Sequence, residues 1–268
     1  MIHYIYRISN AGKQPKIKLD FATKEFCLEN FLSVFGSSDL IIIADNCTKE
    51  LVEYMHLKSL NVIETSTGNS KGVLYAINMA IQSFNENDFV YFIEDDYIHI
   101  DGAADILQSG LSIADYVTLY DNNDYYGDYS VKSSLSPYSS HGGQLCRLFV
   151  TDKAHFRSAW STTMTFAAKV NTLKEDLFTW KIITSGVFRN KYPYDFAAFL
   201  SLTKAPVWPL LKSLHEIKFI KSILLVIFIR LSRLFKKKRI LAVPVPGYST
   251  HTDLIGLAPL NDWKNYKF

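Results

Sequence analysis

Phe89-Val90-Tyr91-Phe92-Ile93-Glu94-Asp95-Asp96 is the stretch that decides how this chain folds. Five apolar residues in a row, all aromatic or β-branched, make a short strand buried on both faces. Three carboxylates follow at once. Packed this closely they repel, and partial burial raises the cost unless a cation offsets the charge. A divalent ion holding a diphosphate resolves the conflict, because hard carboxylate oxygens suit Mg²⁺ or Mn²⁺ and the ion neutralises a phosphate leaving group. The competing reading is an acidic turn leading into the helix expected near Asp101–Leu111.

Outward from this strand, the preceding chain alternates strand and helix patterns. Ile2–Ile8 reads as a strand, and Thr23–Phe35 carries Phe26, Leu28, Phe31, Leu32 and Phe35 at helical spacing. Leu40–Ala44 is a second continuous apolar run, ending at Asp45-Asn46. Thr48 is a candidate N-cap for a helix over Thr48–His56. Asn61–Glu64 reads as a strand, Thr65–Ser70 as a polar loop and Gly72–Phe84 as a helix. This alternation predicts an α/β fold with a mainly parallel central sheet, ligands gathering at the carboxyl ends of its strands. Downstream the pattern is mixed: strands at Tyr116–Tyr120, Gln144–Val150 and Thr162–Ala168, helices at Val170–Thr184 and Tyr194–Leu202, a long polar loop at Asp121–His141, and a final run at Leu241–Pro246.

The order Ile41–Asn46, Gly68-Asn69-Ser70-Lys71-Gly72, Ala76-Ile77-Asn78 and Phe92–Asp96 resembles the nucleotide-binding half of GT-A glycosyltransferases, particularly the family 2 type, over roughly residues 1–120. The resemblance implies a Rossmann-like GT-A fold that uses a nucleotide sugar, UDP-linked, with Mn²⁺ or Mg²⁺. It gives Asp96 the metal, Glu94 and Asp95 the metal or the donor ribose, and Asp45 the donor's base. Glu94 departs from the usual Asp at the first acidic position, keeping the charge on a longer arm. Lys71 becomes a contact to the diphosphate, and Arg7 a further residue facing the nucleotide. Each has a plainer reading: Asp45 as the acidic start of a helix, Lys71 as a solvated lysine.

Sugar transfer with inversion needs a general base for the acceptor hydroxyl. In enzymes of this type it is an acid at the start of a helix downstream of the metal motif. Pro193-Tyr194-Asp195-Phe196 has that form about 100 residues after Asp96, so Asp195 is the candidate base, with Tyr194 where an acid is common. Glu175-Asp176 is the competitor, set in a helical pattern beside Lys174 and Lys181 that favours a solvated face. The resemblance also implies a metal-binding histidine after the last core strand, which His251 in Gly247–His251 fits; His99 and His141 fit less well. Gly142-Gly143 and the hydroxyl-rich Ser161–Thr165 are candidate acceptor contacts, with a simple turn and ordinary strand alternation as the alternatives.

Charge is unevenly spread. Residues 212–239 hold nine Lys or Arg against Glu216, a net +8, whereas the remainder of the 268 residues carries −5. Phe219–Leu231 is apolar almost all round a helix, but its uninterrupted run, Ile223–Ile229, is far short of the ~20 residues a membrane span needs. A span would also separate His251 from Asp96. An interfacial helix with its basic cluster on anionic headgroups fits better, with a buried core helix as the alternative. The block is too apolar for nucleic-acid binding. Cys27, Cys47 and Cys146 form no CxxC pair, which argues against a disulfide framework or zinc site. MIHYIYRISN has no basic region followed by an apolar one, so no secretory signal is expected.

The expected organisation is a GT-A catalytic domain over 1–211 (nucleotide half about 1–120, acceptor half about 121–211), a membrane-associating helical insertion at 212–239, and a C-terminal strand and tail at 240–268 that completes the site. The expected activity is metal-dependent inverting transfer to a glycan or lipid-linked acceptor, at the cytoplasmic face of the membrane. The alternatives are a sugar nucleotidyltransferase, which a Gly-rich basic N-terminus would favour, and a catalytically inactive membrane-bound scaffold of the same fold.

Overall fold

The computed structural model describes residues 1–10, 17–126, 144–185, 194–207 and 217–268. Most of the Asp121–His141 loop, with Gly142-Gly143, Pro193 and the Lys212–Glu216 stretch, lies outside the described residues.

Alternation along the strands creates two cores. In β1 (Ile2–Ile8), Tyr6 and Ile8 enter one and Ile5 the other; in β4 (Phe89–Glu94), Tyr91 and Ile93 oppose Val90 and Phe92. β2 (Leu40–Asp45) divides Ile42 and Ala44 from Ile43 in the same way. The first core is closed by α1 (Lys24–Phe35), α2 (Lys49–Leu57) and α4 (Ala103–Leu111). The second is closed by α3 (Asn69–Ser83), α5 (Val170–Thr184) and α6 (Asp195–Leu202). Thr48 accepts from the Leu51 N–H and caps α2 as expected; Thr23, accepting from the Phe26 N–H, does the same for α1.

The remaining strands of the large sheet are β3 (Val62–Thr65), β6 (Tyr116–Val117), β7 (Leu148–Val150), β8 (His155–Ala159), β9 (Phe166–Lys169) and β10 (Leu241–Pro244). The sheet has nine strands in the order β3-β2-β1-β4-β9-β6-β10-β8-β7. The expectation of a mainly parallel sheet is corrected. β3-β2-β1-β4 and β6-β10 are parallel, while β4-β9, β9-β6, β10-β8 and β8-β7 are antiparallel. β8 had no expectation; it follows β7 through a tight turn, and antiparallel neighbours need no helical crossover to announce them. The fold is therefore mixed α/β, a large central sheet flanked by helices.

The strand order reverses beside β1. After β1 the chain lays β2 and β3 outward on one side and returns to place β4 on the other. The carboxyl ends of β1 and β4 thus flank a crevice at a switch point, the usual ligand position in such sheets.

A second, two-stranded sheet pairs β5 (Tyr97–His99) with β11 (Ser249–His251), matching Ser249 with His99 and His251 with Tyr97. The expected Tyr116–Tyr120 strand stops at Val117 for this reason. There the chain peels away, and the Leu119 carbonyl accepts from the N–H groups of Tyr248 (2.9 Å) and Ser249 (3.0 Å).

α7 (Ile217–Ser232) packs on α6, where Leu225 and Val226 meet Ala197, Leu200 and Ala205. The buried-helix reading holds for this inner face. Arg230 turns inward, donating to the carbonyls of Leu200 (2.8 Å) and Ala205 at the end of α6. No helix among the described residues is long and apolar enough to cross a membrane.

Candidate functional site

The acidic triplet sits at the carboxyl end of β4, beside the switch point, and each carboxylate meets a cationic side chain from the N-terminal part of the chain. Glu94 closes β4 directly across from Arg7, which is held because Ile2–Arg7 runs in register with Phe89–Glu94. Arg7 Nη1 lies 3.7 Å from Glu94 Oε1, and its Nη2 donates to Asn69 Oδ1 at 2.6 Å at the start of α3. Arg7 lies against the apolar side chains of Val73, Ala76, Ile77, Phe92, Met164 and Phe166, which weaken solvent screening of the pair. Asp95 accepts from the Ser9 N–H (2.8 Å) and from Lys24. Asp96 meets Lys18 at 3.5 Å. Lys18 is placed by a backbone bridge to Asp253.

The β5–β11 pairing brings His251 to the triplet. It sets His251 opposite Tyr97, and the Thr252 N–H donates to the Asp96 carbonyl at 2.9 Å. His251 Nε2 ends 3.0 Å from Asp96 Oδ2. Its Nδ1 accepts from the Asp253 N–H at 3.0 Å, so in the neutral ring Nε2 carries the proton and donates to Asp96.

Burial pushes Glu94 up to about 7; Arg7 opposes this, while Asp96 and Asp195 add to it. Burial also raises Asp95, against the pull of Lys24. Asp195 is the first residue of α6, and burial pushes it up to about 6, although the Phe196 N–H donates to it at 2.7 Å. Its charge adds to the upward push on Glu94 through space.

Asp45 and Lys71 lie along the adjoining rim. Asp45 ends β2, where its Oδ1 accepts from Thr65 Oγ1 (2.8 Å) and the Thr67 N–H (2.6 Å), and its Oδ2 from the Gly68 N–H (3.0 Å). Partial burial raises this carboxyl, but the Thr65 and Thr67 hydrogen bonds outweigh it and hold Asp45 below its ordinary range. It organises the Thr65–Gly68 turn, and would read a base only by exchanging one of these donors. Lys71 is exposed in the first turn of α3.

Two weaker candidates find other roles. His99 is buried, bonded to Tyr91 at 2.8 Å, and burial holds it down at about 3, a neutral core histidine. The solvated-face reading of Glu175-Asp176 is corrected for Asp176, which is fully buried and bonded to Arg233, Arg239 and Tyr116. Lys18 and Lys24 were not anticipated: one depends on a single β-bridge and the other on the entry angle of α1.

For a divalent ion the donor set is small. Among the described residues no group of three or more His, Cys, Asp or Glu is placed to hold one. Mg²⁺-type sites do use one or two carboxylates, with substrate phosphate and water completing the shell, and Asp96 at the crevice suits that role. His251 would ligate through Nε2 only after its proton moves to Nδ1 and the Asp253 N–H turns away.

Gly247 controls this arm of the site. A Cβ there would stand 2.9 Å from the Asp121 N and Cβ atoms and 3.2 Å from the Leu119 carbonyl. Backbone cannot yield as a side-chain tip does. Gly247→Ala is expected to cost about 1–3 kcal/mol, measured by denaturant unfolding. It should also shift the His251 ring signals in NMR; unchanged stability and ring signals would show that the approach is not tight.

No protein-family model matches the chain, and no curated protein matches it in sequence. Solved structures do resemble it. Mannose-1-phosphate geranyltransferase from Thermus thermophilus aligns over 91% of this chain and 73% of its own, at 10% identity and a TM-score of 0.44. A CMP-2-keto-3-deoxy-manno-octonic acid synthetase bound to CTP aligns over 66% and 78%, at 12% identity and a TM-score of 0.43. Glucosyl-3-phosphoglycerate synthase from Mycobacterium tuberculosis, solved with Mn²⁺, UDP and glucosyl-3-phosphoglycerate, aligns over 63% and 56%, at 10% identity and a TM-score of 0.36. This chain thus spans little more than half of that last protein.

Proposed function

We propose that this chain is a metal-dependent inverting glycosyltransferase of the GT-A kind, moving a sugar from a nucleotide diphosphate sugar, UDP-linked, to a hydroxyl of a glycan or lipid-linked acceptor. The observation that carries the reading is the approach of His251 to Asp96, 3.0 Å apart at the end of β4; the raised carboxyl at the start of α6 supports it as a separate candidate base. A metal-side carboxylate and a separate base beside one crevice are what such a transfer needs.

Asp195, ionised at neutral pH, takes the proton of the acceptor hydroxyl as its oxygen attacks the anomeric carbon from the face opposite the diphosphate. The bond from that carbon to the diphosphate oxygen breaks, and the configuration inverts. When bound, Mn²⁺ or Mg²⁺ supplies Lewis-acid stabilisation to the departing diphosphate. Asp96 would hold the ion, with His251 beside it. Arg7, Lys71 and the N-terminus of α3 add positive potential where the phosphates would lie. Glu94 and Asp95 face the donor, and Asp45 its base.

Nucleotide sugars with Mn²⁺ should raise the melting temperature. At a hundredfold excess over Kd the gain is about 2.7 kcal/mol, and roughly 2–4 °C accompanies each kcal/mol in a protein of this size. Asp96→Asn should remove the Mn²⁺-dependent part of the shift. Absence of protection by any nucleotide diphosphate with metal present would sink the proposal. Protection by nucleoside triphosphates alone, with pyrophosphate released on adding a sugar phosphate, would establish the nucleotidyltransferase alternative.

A further inference from the structure

The outer face of α7 is apolar and open. Ile220, Leu224, Ile227, Phe228 and Leu231 are exposed at spacings of three and four residues, which places them on one stripe of the helix. The stripe continues past the helix into Leu234 and into Phe235, whose side chain is fully exposed. Phe178, half exposed on α5, extends it sideways through a ring contact with Phe228. From Ile220 to Leu231 the helical part of this ridge is roughly 17 Å long. An apolar surface this continuous marks an interaction site.

Charge selects the occupant. Lys236, Lys237 and Lys238 follow the stripe directly and are exposed, although Lys236 also donates to the Glu175 carbonyl and Lys237 pairs with Asp115 at 2.8 Å, bonds that headgroup phosphates would compete with. Lys218 and Lys221 stand in the sequence at the other end of the helix, and Glu216 is the single acid between Lys212 and Arg239. A second copy pairing through this face, parallel or antiparallel, would set basic ends against basic ends. A surface that offers hydrocarbon between negative charges complements it instead.

We infer that the outer face of α7, with Phe235 and Lys236–Lys238, is a docking surface for an anionic lipid bilayer. The helix lies in the interface, its stripe among the acyl chains and its lysines on the headgroups. The inner face keeps its protein contacts, so docking does not require the fold to open. α6 packs directly on α7, so the docked helix sits against the helix that starts at Asp195. On the transferase reading, this favours an acceptor hydroxyl presented from a lipid.

The test is sedimentation of the full chain with vesicles of phosphatidylcholine alone and of phosphatidylcholine with phosphatidylglycerol, without donor or acceptor. The docking inference therefore stands or falls independently of catalysis. The wild type should pellet with the anionic vesicles and not with the neutral ones, and added salt should release it. Leu231→Glu/Phe235→Glu should lose at least tenfold in vesicle affinity, and Lys236→Gln/Lys237→Gln/Lys238→Gln should weaken binding to anionic vesicles. Both sets lie on the surface, and circular dichroism confirms that the variants fold. Failure of the wild type to bind anionic vesicles overturns the inference, as does equal binding by the folded Leu231/Phe235 variant. A dimer in light scattering that this variant abolishes, without vesicle binding, would assign the face to a second copy instead.

Discussion

Asp195→Asn is expected to lower sugar transfer by about 10²–10⁴-fold, the usual contribution of a positioned general base, while the melting shift given by nucleotide sugar and Mn²⁺ is retained. The isosteric amide keeps the start of α6 but cannot accept a proton. In the wild type, burial holds this carboxyl near 6, so kcat/KM should rise with pH through about 6 and then level off as the base ionises. Stability carries the opposite sign. A carboxyl raised above its ordinary 3.8 is protonated more readily in the folded state, so its contribution is fully present at low pH and is lost as pH rises through about 6. Asparagine removes that penalty, and the variant should be as stable at pH 7 as the wild type, or more stable by on the order of 1 kcal/mol once solvent screening is allowed for. Loss of transfer without loss of folding or donor protection is thus the signature of a base. Retained turnover would move the role elsewhere, loss of donor protection in a folded variant would make Asp195 a donor-binding residue, and loss of folding would make it a structural one.

The parts of this protein that could be read in advance are those where local chemistry and tertiary placement agree. Five apolar residues ending in carboxylates force Phe89–Glu94 to be a buried strand with charge at its tip, and Leu40–Asp45 repeats the logic. Thr48 caps the helix it precedes, because capping is a local interaction. The register that sets Arg7 opposite Glu94 was not read in advance, since it depends on which strand β1 pairs with. What escaped depends on distant partners. β5 and β11 are three residues each, too short and too mixed in polarity to carry a period, and they exist because each completes the other. Lys18 and Lys24 look like ordinary surface lysines until the chain folds them onto Asp96 and Asp95. Residues 219–231 suggested one apolar cylinder. In the fold, its two sides differ in what they meet: α6 on one, solvent on the other. Asp176 was misread for the same reason, since Lys174 and Glu175 beside it are polar neighbours and its partners lie about sixty residues further on.

Asp176 carries the other large prediction. Its carboxylate has no exposure and accepts from Arg239 Nε at 2.8 Å, Arg239 Nη2 at 3.1 Å, Arg233 Nη1 and the Tyr116 hydroxyl at 2.8 Å. Both arginines are nearly buried. Asp176→Ala therefore strands the Arg233 guanidinium in the core and leaves Arg239, among the described residues, with Glu175 and Asp115 alone. Breaking a buried pair from one side costs about 3–5 kcal/mol, and at roughly 2–4 °C per kcal/mol the melting temperature should fall by about 6–20 °C. Glu175→Ala removes a half-exposed partner and should cost under about 1 kcal/mol. The contrast separates burial from mere charge. Asp176→Asn should resemble alanine more than wild type, because its amide N–H groups would confront guanidinium donors. Removing the charges together, with leucine at 176, 233 and 239, should recover much of the loss, since apolar replacement of a buried ionic set is often neutral or stabilising. Arg239 leads into β10, whose continuation carries Gly247 and His251. If the ionic knot holds that arm in place, Asp176→Ala should also weaken Mn²⁺-dependent donor protection below its own lowered melting point, and the triple leucine variant should restore it. Stability within about 1 kcal/mol of wild type for Asp176→Ala would mean that water reaches the arginines and that the knot is not what fixes this arm.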